Sequence, residues 1–233
     1  MDINVLASGS SGNAYLISDG ATTLLLDAGI PIRAIQIGCQ FKLSQIDGCL
    51  ITHNHLDHSK AARELARLGV DVYTSQGTIE ACRLTGHRIR RVKALEELTV
   101  GTLDILPFDV QHDSPEPLGF LIRSNETGEK LLYFTDTYYI KYKFQGLNII
   151  MAECNYDTET LQHSVAAGYI PIELASRLMK SHMSLDHLLD LLKSNDLSQV
   201  KQIYLLHLSS NNSNEVRFKE EVQKLTGTEV YVV

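Results

Sequence analysis

A chain of 233 residues, 44% of them hydrophobic, has enough apolar mass for a substantial core, which excludes a disordered tail or a disulfide-stapled miniprotein. Twenty-eight acidic residues against 21 basic ones leave a net charge of −7, a balance that argues against a broad nucleic-acid-binding face. Cys39, Cys49, Cys82 and Cys154 form no CxxC pair, and no run nears the ~20 apolar residues of a membrane span, so reduced core thiols and a cytoplasmic chain are expected.

The first third of the chain reads as short apolar runs bounded by Gly, Ser and Asn. Strands are expected at Ile3 to Ala7, Ala14 to Ile17, Thr22 to Asp27 and Gly48 to Thr52. Apolar residues at Ala61, Ala62, Leu65 and Leu68, followed by Gly69, predict an amphipathic helix over 59–68, and Val70 to Thr74 returns to strand. Further strands are expected at Leu103 to Val110, Leu118 to Arg123, Lys130 to Thr135 and Leu147 to Glu153, with a turn at Asn125 to Gly128. Helices over Ile172 to Lys180 and Leu185 to Ser194, a strand over Val200 to Leu206, a helix over Glu215 to Lys224 and a strand over Glu229 to Val232 close the chain. No linker or short repeat interrupts it, so one domain over 1–233 is expected. Antiparallel series of strands followed by helices in each half predict two face-to-face sheets with helices outside.

The densest chemistry is Thr52-His53-Asn54-His55-Leu56-Asp57-His58, which places three of the nine histidines and an aspartate within six residues, after a strand and before a helix. In an extended segment residues two apart face the same way, so His53 and His55 can grip one ion, while Asp57 and His58, where the chain turns, can grip a second. Imidazole and carboxylate suit zinc, with manganese or iron as alternatives. Further ligands sit where apolar runs stop: His112, Asp136 and His207. The expected division is His53, His55 and His112 on one ion, Asp57, His58 and His207 on the other, and Asp136 bridging.

These residues resemble the metallo-β-lactamase-fold hydrolases, whose HxHxDH signature is matched by His53, His55, Asp57 and His58. The resemblance implies an α/β fold of four αββα layers and a role for Asp27, in Leu26-Asp27-Ala28-Gly29, in supporting the metal-binding loop from behind. Ser8 to Asn13, His112-Asp113, Thr135-Asp136, His207-Leu208-Ser209 and Glu153-Cys154-Asn155-Tyr156-Asp157 are similar to one branch, the small YycJ-like hydrolases related to ribonuclease Z. His182-Met183-Ser184 resembles the segment in which ribonuclease Z relatives carry a histidine that aids phosphodiester cleavage. It implies His182 as a catalytic group and Ser184 as a substrate contact, although Ser184 also fits a helix cap.

A binuclear centre lowers the pKa of water towards ~7, so a metal-dependent phosphodiesterase is expected, with Asp57 or Asp136 orienting the nucleophile and His182 assisting the leaving group. The turn carrying Ser10, Ser11 and Asn13 offers hydroxyls and N–H groups to an anionic substrate, or simply joins two strands; Asn212, in a Ser-x-x-Asn arrangement, is a further candidate contact. The branch implies nuclease action on DNA or RNA ends, whereas a likeness to the phage anti-Pycsar enzymes implies 3′,5′-cyclic nucleotides, and the acidic net charge favours the smaller substrate. The basic strip from His87 through Arg88, Arg90 and Arg91 to Lys93 favours the nuclease. A non-phosphate ester, lactone or thioester hydrolase and a non-catalytic metal-binding protein remain as alternatives, and the relatives' habit of pairing implies a homodimer.

Overall fold

The computed structural model describes residues 1–209 and 211–233, which divide into two compact units: Met1–Asp109 with Ser114–Glu129, and Val110–Asp113 with Lys130–Val233.

In the first unit, β1 (Asp2–Ala7), β2 (Ala14–Ser18), β3 (Thr23–Leu26), β4 (Gly48–Leu50), β5 (Val72–Thr74) and β6 (Ile89–Arg91) form a six-stranded sheet in chain order. The first three strands are antiparallel, but β3 to β6 run parallel, which corrects the expectation of antiparallel series. The reason lies in the connections. Helix α1 (Ile32–Gly38), the pair α2 (Leu56–Ser59) and α3 (Ala62–Arg67), and α4 (Gln76–Ala81) each carry the chain back to the starting end, as a parallel pair requires. Leu25, Ile35, Ile51, Leu65 and Val72 are fully buried in the core of this unit. A meander follows: β7 (Leu98–Val100), β8 (Leu103–Asp109) and β9 (Leu118–Ser124) pair antiparallel, and β8 alternates buried and partly exposed residues as a half-covered sheet does.

The expected helix over 59–68 is interrupted instead of continuous. The Asp57 carbonyl accepts from the Asn13 backbone and side-chain N–H groups at 2.7 and 3.2 Å, so the Ala61 N–H donates to the Ala28 carbonyl at 2.8 Å and the ladder breaks between α2 and α3.

In the second unit, β10 (Lys130–Phe134), β11 (Ile149–Glu153), β12 (Gln202–Leu206) and β13 (Glu229–Val232) are all parallel, in chain order. Every residue of β11 is buried, the pattern of a central parallel strand. Helices α5 (Thr158–Ala166), α6 (Ile172–Ser181) and α7 (Leu185–Lys193) link β11 to β12, and α8 (Glu215–Thr226) links β12 to β13. Helix α5, which lacks a strong apolar stripe, has no counterpart in the expected elements; Asp157 caps it by accepting from the Thr160 N–H. In α7, Leu185, Leu188 and Leu192 form the buried face, and α8 ends on Gly227 at φ 65°, a left-handed cap that favours glycine. Among the described residues no helix is long and apolar enough to cross a membrane.

Candidate functional site

Each unit holds its own group of the expected residues. In the first, the loop after β4 carries His53, His55, Asp57 and His58, with α2 starting at Leu56. Two glycine positions allow neighbouring loops to press against it. A Cβ on Gly29 would lie 1.6 Å from the Asp57 carbonyl oxygen, and one on Gly12, at φ 146°, would lie 2.6 Å from the Gly29 carbonyl oxygen. The backbone then locks: Gly29 N–H donates to the Asn13 carbonyl and Ala28 N–H to the His58 carbonyl, both at 2.8 Å.

Asp27 orients two of the histidines at once. Its Oδ2 lies 2.8 Å from His58 Nδ1. Its carboxylate also accepts from the Thr52 hydroxyl at 3.0 Å and from the Thr52 N–H at 2.8 Å. With its proton committed to Asp27, the Thr52 hydroxyl accepts from His53 Nδ1 at 3.0 Å. Both rings are thereby held with Nδ1 as donor and the Nε2 lone pair turned away from Asp27. His53 Nε2 faces His55 Nδ1 at 3.2 Å, and His58 Nε2 faces Asp57 Oδ2 at 3.5 Å. Ring nitrogens and a carboxylate oxygen gathered this closely are the donor types a cation takes. Asp27 sits at φ 56°, a left-handed conformation that costs a non-glycine residue roughly 1–3 kcal/mol and marks a position fixed by its surroundings.

Of the expected substrate contacts here, Ser10 and Ser11 are exposed at the tip of their turn. Asn13 is fully buried, with Oδ1 accepting from the Gly9 N–H and the Tyr15 hydroxyl and Nδ2 bonded to the Gly9 carbonyl and 3.1 Å from His58 Nε2. Its side chain fastens the turn to the histidine loop.

The second unit gathers His112, Asp136, Glu153, His182 and His207. Parallel strands deliver three of them: Asp136 lies two residues beyond β10, Glu153 ends β11 and His207 follows β12, so adjacent strands end side by side. One ligand atom each from Asp136, Glu153, His182 and His207 lies within 4.8 Å of the others. Asp136 and His207 adopt φ of 47° and 53°, a further pair of left-handed residues at this edge. His207 Nδ1 lies 2.9 Å from Asp136 Oδ1 and 3.3 Å from Glu153 Oε1. His112 donates from Nδ1 to the Ser181 carbonyl at 2.8 Å, which leaves its Nε2 lone pair facing Asp113 Oδ1 at 3.2 Å and Asp136 Oδ2 at 3.6 Å. A lone pair set against two carboxylates again fits a cation.

Glu153 is the residue whose role the sequence left unread, although it stood in a quoted segment; a lone carboxylate ending an otherwise apolar strand was the available signal. It is fully buried and accepts from the Thr137 N–H at 2.9 Å, the Met183 N–H at 3.1 Å and His182 Nδ1 at 2.6 Å. The segment 182–185 is pinned beside 155–156 because Asn155 N–H donates to the Met183 carbonyl and Leu185 N–H to the Tyr156 carbonyl. Burial opposes charge on His182, but the Glu153 carboxylate and its hydrogen bond outweigh it and hold the ring above the ordinary histidine value. Burial likewise favours the neutral acid at Glu153, and His182 overrides it, so the carboxyl stays below its usual range. Burial pushes His112 below the ordinary value against the pull of Asp136. His182 keeps 16% of its side chain exposed, whereas Glu153, Asp136 and His207 keep 4% or less, so His182 is the solvent-reachable member of that group.

Ser184 caps α7, its hydroxyl accepting from the His187 N–H. Asn212 is buried, its carbonyl accepts from the Asp157 N–H, and its side chain donates to the Ser209 hydroxyl.

Residues 22–208 match the family model described as the beta-lactamase superfamily domain. The exodeoxyribonuclease WalJ of Streptococcus pneumoniae is 30% identical over 98% of this chain and 90% of its own length. The exodeoxyribonuclease YycJ of Bacillus anthracis is 28% identical over 91% of this chain and 84% of its own. Among solved structures, the metallo-β-lactamase-fold protein YhfI of Bacillus subtilis superimposes with a TM-score of 0.76 at 16% identity, covering 99% of this chain and 95% of that one, which shows the fold. A matched model over most of the length, together with the histidine loop braced by Asp27, makes this chain a member of the beta-lactamase superfamily, related to the YycJ and WalJ proteins.

Proposed function

We infer that the chain is a metal-dependent hydrolase of DNA phosphodiester bonds, working from a strand end, with divalent cations held by His53, His55, Asp57, His58, His112, Asp136 and His207. Zinc suits this donor set of imidazoles and carboxylates. When bound, such cations supply Lewis acidity: they bring the pKa of water towards ~7 and offset phosphate charge. The single observation that carries the phosphodiester reading is the His182–Glu153 pair.

The chain's own groups divide the work. Asp27 keeps Nδ1 of His58, and through Thr52 that of His53, occupied as donors, so Nε2 is the atom each ring offers. Asp57 or Asp136 orients the attacking water and takes its one proton. Glu153 holds His182 through Nδ1 and favours its protonated form, in which the proton on Nε2 is available to the departing alkoxide. An ester or lactone of low-pKa leaving group has less need of such an acid. The likeness to two exodeoxyribonucleases over most of each chain supports DNA as the polymer. A second reading, hydrolysis of 3′,5′-cyclic nucleotides, is favoured by the net charge of −7.

Purified protein is assayed on bis(p-nitrophenyl) phosphate, then on single-stranded DNA, duplex DNA, RNA and cyclic nucleotides, as isolated, after chelation, and after return of zinc or manganese. The expected result is metal-restored cleavage of the diester and release of mononucleotides from a DNA end. Inactivity towards every diester with a full metal complement rejects the proposal, and turnover of cyclic nucleotides with DNA untouched replaces it by the second reading.

A further inference from the structure

The first unit contains a strongly basic surface that the chemistry above does not use. Residues 60–93 hold eight lysines and arginines against three carboxylates, an excess of five positive charges in a chain whose net charge is −7. Folding gathers them further. A cleft of about 560 Å³ is lined by Arg63, Arg67, Arg83, His87 and Arg88. A second cleft, of about 540 Å³, shares Arg63 and Arg67 with the first, adds Lys60, and is also lined by Asn54, Leu56 and Ser59 of the histidine loop. Among the described residues Glu64 is the one carboxylate lining either cleft.

Not every cation here is available. Arg88 and Arg90 are paired with Asp71 at 3.0 and 3.2 Å, and Arg63 donates to the Cys82 and Arg83 carbonyls at 3.0 and 3.2 Å, which braces it across the cleft wall. Among the described residues Lys60, Arg67 and Arg83 are exposed and have no carboxylate partner. Arg63 and Arg67 are one helical turn apart on α3, so their side chains stack along one face. Unpaired cations on a protein surface repel one another, and a row of them beside a single carboxylate is the arrangement a polyanion relieves.

We propose that Lys60, Arg67 and Arg83, with the braced Arg63 among them, form a track for the sugar–phosphate backbone of a DNA strand, leading along the two adjoining clefts to the histidine loop at Asn54. This rests on the phosphodiesterase reading and extends it from the scissile bond to the strand behind it. A track of this kind contacts phosphates without reading bases, so binding is independent of sequence and falls steeply with salt. It also resolves the conflict between an acidic chain and a polyanionic substrate: the positive charge is concentrated in 34 residues instead of spread over the surface.

The test measures DNA binding and diester turnover separately. Binding of a fluorescein-labelled 20-nucleotide single strand to the full chain is followed by anisotropy between 50 and 300 mM salt, for wild type, Arg67→Ser/Arg83→Ser, and a charge control, Arg33→Ser on α1. The double variant is expected to bind about tenfold or more weakly and to lower the slope of log K against log salt by about 1.4, at ~0.7 per lost phosphate contact, while the control matches wild type. Turnover of bis(p-nitrophenyl) phosphate, which has no strand to follow, is expected to stay the same in all three, and this also reports that the variants are folded. Unchanged affinity and salt slope in the double variant overturn the track, as does absence of DNA binding by wild type. Displacement of the strand by millimolar inorganic phosphate at constant ionic strength overturns it in favour of a free-anion site. Failure of the phosphodiesterase reading shows instead in wild-type turnover, whatever the anisotropy reports.

Discussion

The two groups of candidate ligands are built on opposite plans. In the first unit four of them fall within six consecutive residues, and neighbouring loops fix that segment from behind: Asn13 and Ala28 through the backbone, Asp27 through the rings. In the second unit, residues spread from His112 to His207 meet because β10, β11 and β12 run parallel and end together. A local motif tolerates change elsewhere in its sheet, whereas an assembled one depends on every strand that delivers a residue. The difference also separates roles. The first group is nearly all candidate ligand, and the second adds a buried carboxylate, Glu153, with a solvent-reachable histidine on it.

The sharpest way to break this comparison is to remove one residue from each group. Asp57→Ala is expected to abolish turnover of bis(p-nitrophenyl) phosphate and to lower bound metal, whereas His182→Ala is expected to reduce kcat by about 10²- to 10⁴-fold with metal content retained. Parallel kinetics and elemental analysis of the two proteins decide the matter: if His182→Ala loses its metal along with its activity, His182 is a ligand and the division of roles fails.

A smaller effect tests the bracing of the first group. Asp27→Ala frees the Nδ1 of His58 and, by releasing Thr52, that of His53, so metal affinity is expected to fall by about 10- to 100-fold in competition with a fluorescent chelator. Affinity equal to wild type means that the backbone alone orients the loop.

The smallest effect concerns stability of the first unit at low pH. Although burial favours its neutral form, hydrogen bonds from Thr22, Thr102, Ser124 and Ala21 hold Asp19 down at about 2 against an ordinary 3.8. A carboxyl depressed in the folded state contributes stability that is fully present above its unfolded value and is lost as pH falls through about 2. Asp19→Asn is expected to lower the melting temperature slightly at pH 7 and to flatten the decline in stability between about pH 4 and 2. Parallel acid melts of the two proteins leave no role for this network if their curves have the same slope.

The strand ends carrying His112, Asp136 and His207 were legible because apolar runs of β length stop there, and the helices α7 and α8 because their periodicity and caps agree. Helices α1, α4 and α5 were not, since short helices over small and polar residues carry little periodic signal. The antiparallel reading failed at β3 to β6 and β10 to β13 for the same reason: without those helices no crossover is visible, and parallel order is invisible with it. Glu153 was overlooked as a working residue because its partner, His182, lies 29 positions away.

What the amino-acid sequence determines by itself is the chemistry within reach of a few residues: a histidine loop two residues in period, the strand lengths, and an excess of acid over base. What only the tertiary structure decided is which distant groups meet. Glu153 accepts from His182, Asp27 governs two rings, and Arg63, Arg67 and Arg83 line one cleft. Hydrogen bonds act over about 3 Å, and nothing in the order of residues along a chain says which of them the sheet will bring that close.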